Sequence, residues 1–163
     1  MAGLERFKQA QDLPESGFDA ARAEIRHGGK RGHWIWYVFP QLAGLGISNL
    51  SQTYAIRDFA EAVEYLQDSV LSRRLLAMTT EVAQQLTGEK RIPLRELMGS
   101  QVDVYKLVSS LTLFRSAAQK LAAADDVEDY RSMVRAAEQV LTVAESEGYP
   151  PCSHTLDHIT RAG

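Results

Sequence analysis

His33, Trp34, Trp36 and Gln41 crowd into one short stretch of the chain, and Lys106, Ser109 and Ser110 into another. Imidazole titrates near neutrality and can carry a proton, while indole faces suit planar or cationic groups. A lysine three and four positions before two hydroxyls places its ammonium beside them on one helical face. Two chemistries use such groups. A small anionic or nucleotide-like ligand can be held by Lys106 with His33, Gln41, Ser109 and Ser110 as partners, while Trp34 or Trp36 stacks on a flat ring. Alternatively, His33, Lys106 and Asp103 are the candidates for catalysis, by hydrolysis or group transfer, and a desolvated lysine can activate a serine. The plainer alternative is an Asp103–Lys106 ion pair, serines that permit close helix packing, tryptophans in the core, and a His33 that satisfies a backbone carbonyl.

Other segments carry less. Gly44-Leu45-Gly46-Ile47-Ser48 has the look of a phosphate loop, but a dinucleotide fingerprint needs a third glycine where this chain has Asn49. A tight turn feeding a capped helix is the simpler reading; an anion bound there would use backbone N–H groups and Ser48. His154 and His158 lie four apart, yet Asp157 is the only carboxylate beside them, so no metal site is expected. No cofactor motif is present. Cys152 is alone, which removes an internal disulfide and a cysteine-based zinc site.

The apolar spacing that must position these residues is helical almost throughout, which predicts an all-α, single compact domain over residues 1–163. Helices are expected over about Leu4 to Gln11; from a Ser16 cap through Phe18, Ala21 and Ile25 to Gly28-Gly29; and from a Ser48 or Asn49 cap near Leu50. Asp58 precedes a stripe of Phe59, Ala62, Val63 and Leu66, and Asp68-Ser69 precede Leu71, Leu75, Met78 and Val82. Trp34 to Phe39 fits a buried strand or a helical turn, the helical surroundings favour the latter, and Pro40 ends it. Pro93 suits a short helix through Met98. The central helix is expected near residues 101–124, capped by Ser100, with Leu107, Leu111, Phe114, Ala118 and Leu121 on one side and Lys106, Ser109, Ser110 and Leu113 on the other. An acidic helix follows Asp125-Asp126, and a last one, Thr155 to Arg161, docks through Leu156 and Ile159.

A formal net charge of −3 argues against nucleic-acid binding through phosphate neutralisation. Charge is uneven, however. Arg22, Arg26, Lys30 and Arg31 make residues 22–33 basic, whereas Asp125, Asp126, Glu128, Asp129, Glu138, Glu145 and Glu147 make residues 125–147 acidic. The two segments could attract each other within the fold or between two copies in a homodimer, and the basic one could hold an anion. No apolar run is long enough to span a bilayer, and the N-terminus lacks the pattern of a secretion signal, so a cytoplasmic protein is expected.

The string His33-Trp34-x-Trp36-x-x-Phe39-Pro40-Gln41-Leu42-x-Gly44-Leu45-Gly46-x-Ser48, with Tyr54-Ala55-Ile56 and Asp103-x-x-Lys106-x-x-Ser109-Ser110-x-Thr112-Leu113-Phe114, resembles the bacterial domain-of-unknown-function family 1810. The resemblance covers most of residues 4–160 and weakens after Ala117. It implies a soluble, mainly helical single domain and carries over no catalytic assignment. The label calpastatin attached to some members has no weight, because that inhibitor is a disordered repeat protein and this chain is patterned for a core.

Two matching strings far apart in the chain suggest one shared centre. The expectation is that the tryptophan segment crosses the Lys106 side of the central helix and gathers His33, Gln41, Asp103, Lys106, Ser109 and Ser110 around one pocket. Burying an unpaired polar group costs about 1–3 kcal/mol, so several of them imply an internal network or a ligand. A protein-interaction or assembly module without catalysis is the rival reading, and RNA binding the third.

Overall fold

The computed structural model describes residues 3–162, and ten α-helices with no strand make up its regular structure among them. In order they are α1 (Glu5–Gln11), α2 (Phe18–Arg26), α3 (Ile35–Val38), α4 (Asn49–Thr53), α5 (Phe59–Gln67), α6 (Ser69–Thr87), α7 (Leu94–Met98), α8 (Gln101–Ala124), α9 (Glu128–Ser146) and α10 (Ser153–Ala162). The chain is an all-α domain with α8 at its centre, packed against α5, α7, α9, α10 and α3.

Capping residues set most boundaries. The side chains of Ser48, Asp58, Asp68 and Ser100 accept hydrogen bonds from the first free N–H groups of α4, α5, α6 and α8, which a helix leaves without partners of its own. Asp68 serves two of them, at Val70 and Leu71, each at 3.0 Å. Ser16 does not cap α2. Gly17 holds that position, because a Cβ there would lie 2.3 Å from the carbonyl oxygens of Gln11 and Leu13. The Ser16 carbonyl instead accepts from the Tyr37 hydroxyl at 2.5 Å.

Trp34 to Phe39 resolves as a single helical turn, α3, that stops before Pro40. Trp34, Ile35 and Phe39 are buried at 1% exposure or less, so the segment is core on that side. Beyond it, one parallel bridge joins Leu42 to Ile56, with Ala43 N–H donating to Ile56 O at 2.8 Å and Ile56 N–H to Gln41 O at 2.9 Å. Nothing in the spacing of that loop announces the bridge. It pins the Gln41 backbone and thereby the wall described below.

Every residue of α8 from Leu107 to Phe114 is buried. A helix buried all round in its middle must offer hydrocarbon or small hydroxyl groups on every side, which is why Ser109, Ser110 and Thr112 lie between leucines. Thr112 returns its hydroxyl to the Val108 carbonyl at 2.7 Å. The Ser110 hydroxyl has no hydrogen-bond partner. Docking of α10 departs in part from expectation: Ile159 packs half-buried against the core, but the fully buried residue is Thr155, and Leu156 is not among the residues packed there. Thr155 Oγ1 lies 3.5 Å from Ser109 Oγ, so a pair of hydroxyls marks the contact of α10 with α8.

Two substitutions in α8 separate these roles. Leu111→Ala should cost about 2–5 kcal/mol in urea unfolding, as cavity-forming changes do. Ser110→Ala should raise stability by about 1 kcal/mol, because it removes an unpaired buried hydroxyl and improves helix propensity; a loss of stability would mean that the hydroxyl has a partner.

Candidate functional site

Glu24, near the end of α2, gathers the turn that precedes the tryptophans. Its Oε1 accepts hydrogen bonds from the N–H groups of Arg31 at 2.7 Å and Gly32 at 2.9 Å, and from the Trp34 indole at 2.9 Å. Burial pushes the Glu24 pKa up, but the Gly32, Arg31 and Trp34 donors and the nearby Lys30 ammonium outweigh it and hold the carboxyl below its ordinary range. The same turn docks on α7, where Lys30 N–H donates to Leu97 O at 2.8 Å. Gly99 ends α7 with a left-handed φ of 85°, and the Lys30 carbonyl approaches to 3.1 Å from where a Cβ would stand.

This docking carries the Lys30 side chain to the start of α8. Its ammonium lies 2.7 Å from Asp103 Oδ2, donates to Gly32 O at 2.6 Å, and sits 5.1 Å from the centre of the Trp34 ring. The pair is largely shielded, with side chains 5% and 16% exposed. Asp103 is therefore the partner of Lys30 and not of Lys106, one helical turn further on.

Lys106 pairs with no carboxylate among the described residues. Its ammonium rests on the Trp36 indole, 4.6 Å from the ring centre, a placement that satisfies a cation in part and leaves its hydrogen-bond donors free. It stands on the wall of a hollow of about 350 Å³, lined also by Gln41, Leu45, Val102, Tyr105, Val108, Ser109, Pro150, Cys152 and Ser153. Volumes of this order suit small molecules. Tyr105 is 53% exposed at the rim, braced edge-on by Tyr149 with ring centres 5.4 Å apart. Cys152 is held by its own N–H, which donates to Thr112 Oγ1 at 3.3 Å.

The structure thus brings Gln41, Lys106 and Ser109 to one hollow with Trp36 beneath the ammonium. The remaining expected residues stand elsewhere. His33 is exposed on the Glu24 turn and does not line the hollow. Trp34 is 1% exposed, its indole N–H is taken by Glu24, and it has no face to offer a ligand. Asp103 is engaged by Lys30. Ser48 is an exposed cap of α4 bonded to Ser51. Ser110 is wholly buried inside α8. Three polar members of the wall, Tyr105, Cys152 and Ser153, are missing from the sequence expectation. Tyr105 and Val102 were visible as large side chains one turn apart and off the apolar stripe of α8; the other two reach the wall only because the Pro150-Pro151 segment folds back over Thr112.

No ion pair joins the basic segment to the acidic one among the described residues. Arg26 and Arg22 both meet Glu81 on α6, while Glu128 is held down to about 2 by Arg135 and Arg131. His154 contacts the Ala43 carbonyl at 3.2 Å and His158 accepts from Phe59 N–H at 3.2 Å, so both imidazoles tie α10 to neighbouring backbone. No group of three or more metal-binding side chains occurs among the described residues.

Residues 1–141 match the model of a protein family of unknown function, DUF1810. The match runs past Ala117 into α9, where the sequence had looked individual. The fold is similar to the crystal structure of the conserved hypothetical protein Rv1873 from Mycobacterium tuberculosis, with a TM-score of 0.70 and 34% identity over 94% of this chain and 93% of that one. No curated protein matches the chain.

Because the folded pKa of Glu24 lies below its unfolded value, its ionised form contributes stability that is present above about pH 4.5 and fades as pH falls through the lower folded pKa. Glu24→Gln should flatten the dependence of unfolding free energy on pH below that point and lower stability at neutral pH by about 1.5–3 kcal/mol, the usual effect of losing hydrogen bonds to a charged group. An unchanged acid slope in the variant would remove Glu24 as the organiser of the turn.

Proposed function

The chain belongs to the DUF1810 family of unknown function, and from the geometry around Lys106 we propose that it binds a small anionic molecule, nucleotide-like in having a flat ring beside its charge. The observation that carries this reading is an ammonium without a carboxylate partner, set on an indole and facing a hollow with amide and hydroxyl groups. A charge in that position lacks a protein counter-ion, and an anion would supply one at little reorganisation cost.

Each group has a role. Lys106 meets the anionic oxygens, Gln41 and Ser109 donate to the same or adjacent atoms, and Ser153 closes the polar side. Trp36 carries the ammonium rather than the ligand. The exposed Tyr105 ring, with Val102 and Leu45, is the surface on which a flat ring would lie. Binding without turnover is the stronger form of the proposal, since His33 and Asp103, the other proton-carrying candidates, do not line the hollow.

The assembly reading draws support from exposed apolar side chains at Ile47, 94% exposed, and Val102, 60% exposed. It differs in its prediction. A protein-interaction surface calls for a concentration-dependent change in sedimentation, abolished by Val102→Asp, with no response to small anions.

For the ligand reading, thermal shift and calorimetry with adenosine monophosphate, nicotinamide mononucleotide, sugar phosphates and small dicarboxylates should find at least one compound that raises the melting temperature. Lys106→Ala should weaken that compound about tenfold or more, as expected for loss of a charge-assisted hydrogen bond. Silence across the panel, or equal binding by Lys106→Ala, would overturn the proposal.

A further inference from the structure

A second cationic site lies between α2 and α6, apart from the Lys106 hollow. Phe18 and Arg22 are one turn apart on α2; Val70, Arg73, Arg74 and Ala77 follow helical spacing along α6, and together the six line a groove of about 500 Å³. The spacing puts three guanidinium groups above a floor of hydrocarbon and one phenyl ring.

The arginines are only partly satisfied. Arg74 donates to Asp12 Oδ1 at 2.7 Å and Gln11 Oε1 at 3.3 Å while its guanidinium lies 5.7 Å from the centre of the Phe18 ring. Arg73 returns Nε to the Ser69 carbonyl at 3.1 Å and meets no carboxylate among the described residues. Arg22 Nε is buried without a hydrogen-bond partner, 3.5 Å from a Glu81 carboxylate that Arg26 Nε already occupies. Four guanidiniums thus share two carboxylates, which leaves two positive charges at the groove. Arg131 and Arg135 on α9, in contrast, are met by Glu128 and Asp126.

The geometry points to a binding site for a phosphomonoester that carries an apolar or aromatic group. A phosphoryl group bears about −1.5 to −2 charges at neutral pH and three acceptor oxygens, which matches the surplus of two and the unused forks of Arg22 and Arg73. A sulfonate or carboxylate supplies half that charge. The organic part lies along Phe18, Val70 and Ala77. This site is independent of the proposed Lys106 ligand and stands or falls separately.

The test uses phenyl phosphate as probe, with calorimetry and backbone amide spectra of the full chain. In Lys106→Ala, which removes the cation of the other hollow, phenyl phosphate should still bind and should shift the amides of Phe18, Val70 and Ala77. Adding Arg73→Gln, an exposed residue whose loss leaves the fold tied as before, should weaken binding about tenfold, and Arg73→Lys should restore part of it. Benzenesulfonate, with one charge on the same ring, should bind more weakly than phenyl phosphate. No binding in Lys106→Ala, indifference to Arg73→Gln, or equal affinity for the sulfonate would each overturn the inference.

Discussion

One carboxylate decides the character of this protein's centre. Asp103 stands one helical turn from Lys106 on α8, where the two would make an ordinary surface ion pair, but the Glu24 turn delivers Lys30 to Asp103 at 2.7 Å. Of the two ammonium groups, the one on Lys30, its side chain 5% exposed, has the counter-ion. Lys106 is left to the face of Trp36 at 4.6 Å. A cation–π contact is worth about 0.5–1 kcal/mol at exposed sites and about 2 or more when desolvated, comparable with the typical surface ion pair it replaces. The replacement leaves the donors of the ammonium available, which an ion pair would not.

The rest of the architecture serves this division. Glu24 gathers two backbone amides and an indole, Gly99 lets the Lys30 carbonyl close on the end of α7, and Ser100 starts α8 with Asp103 in its first turn. The middle of α8 is buried on every side, so its polar groups emerge toward the two ends, at the N-terminal one through Asp103, Tyr105 and Lys106. The bridge between Leu42 and Ile56 and the fold-back of Pro150-Pro151 then bring Gln41 and Ser153 to the opposite wall. The hollow is thus assembled from α8, the first residue of α10 and two irregular segments.

Much of the helical framework was legible in the chain. Ser100, Asp58, Asp68 and Ser48 behave as caps because their short oxygens reach the free amides of a first turn, and α8 spans Gln101–Ala124 as its leucine spacing implies. What escaped is tertiary. Ser16 resembles a cap, but the close approach of Gln11 and Leu13 gives that position to Gly17. Thr155, not the larger Leu156, is the residue that α10 buries fully, with its hydroxyl 3.5 Å from that of Ser109. Of the candidate site, the likeness of two strings suggested a common centre, and Gln41, Lys106 and Ser109 do meet there with Trp36. His33 and Trp34 stand three and two positions before Trp36 yet do not reach the hollow, because both precede α3: His33 is exposed and the Trp34 indole is held by Glu24. Which lysine pairs with Asp103 depends on docking between distant segments, and no local pattern encodes it.

The character of this centre depends on Lys106 being free of Asp103. Nuclear magnetic resonance of lysine-labelled protein tests this directly, by following the side-chain signals of Lys30 and Lys106 in the wild type and in Asp103→Asn. Lys106 should show the ring-current shift of an ammonium held over an indole, and Asp103→Asn should move Lys30 while leaving Lys106 in place. A Lys106 signal at its free-solution position, or one that moves with Asp103→Asn while Lys30 does not, would contradict the account.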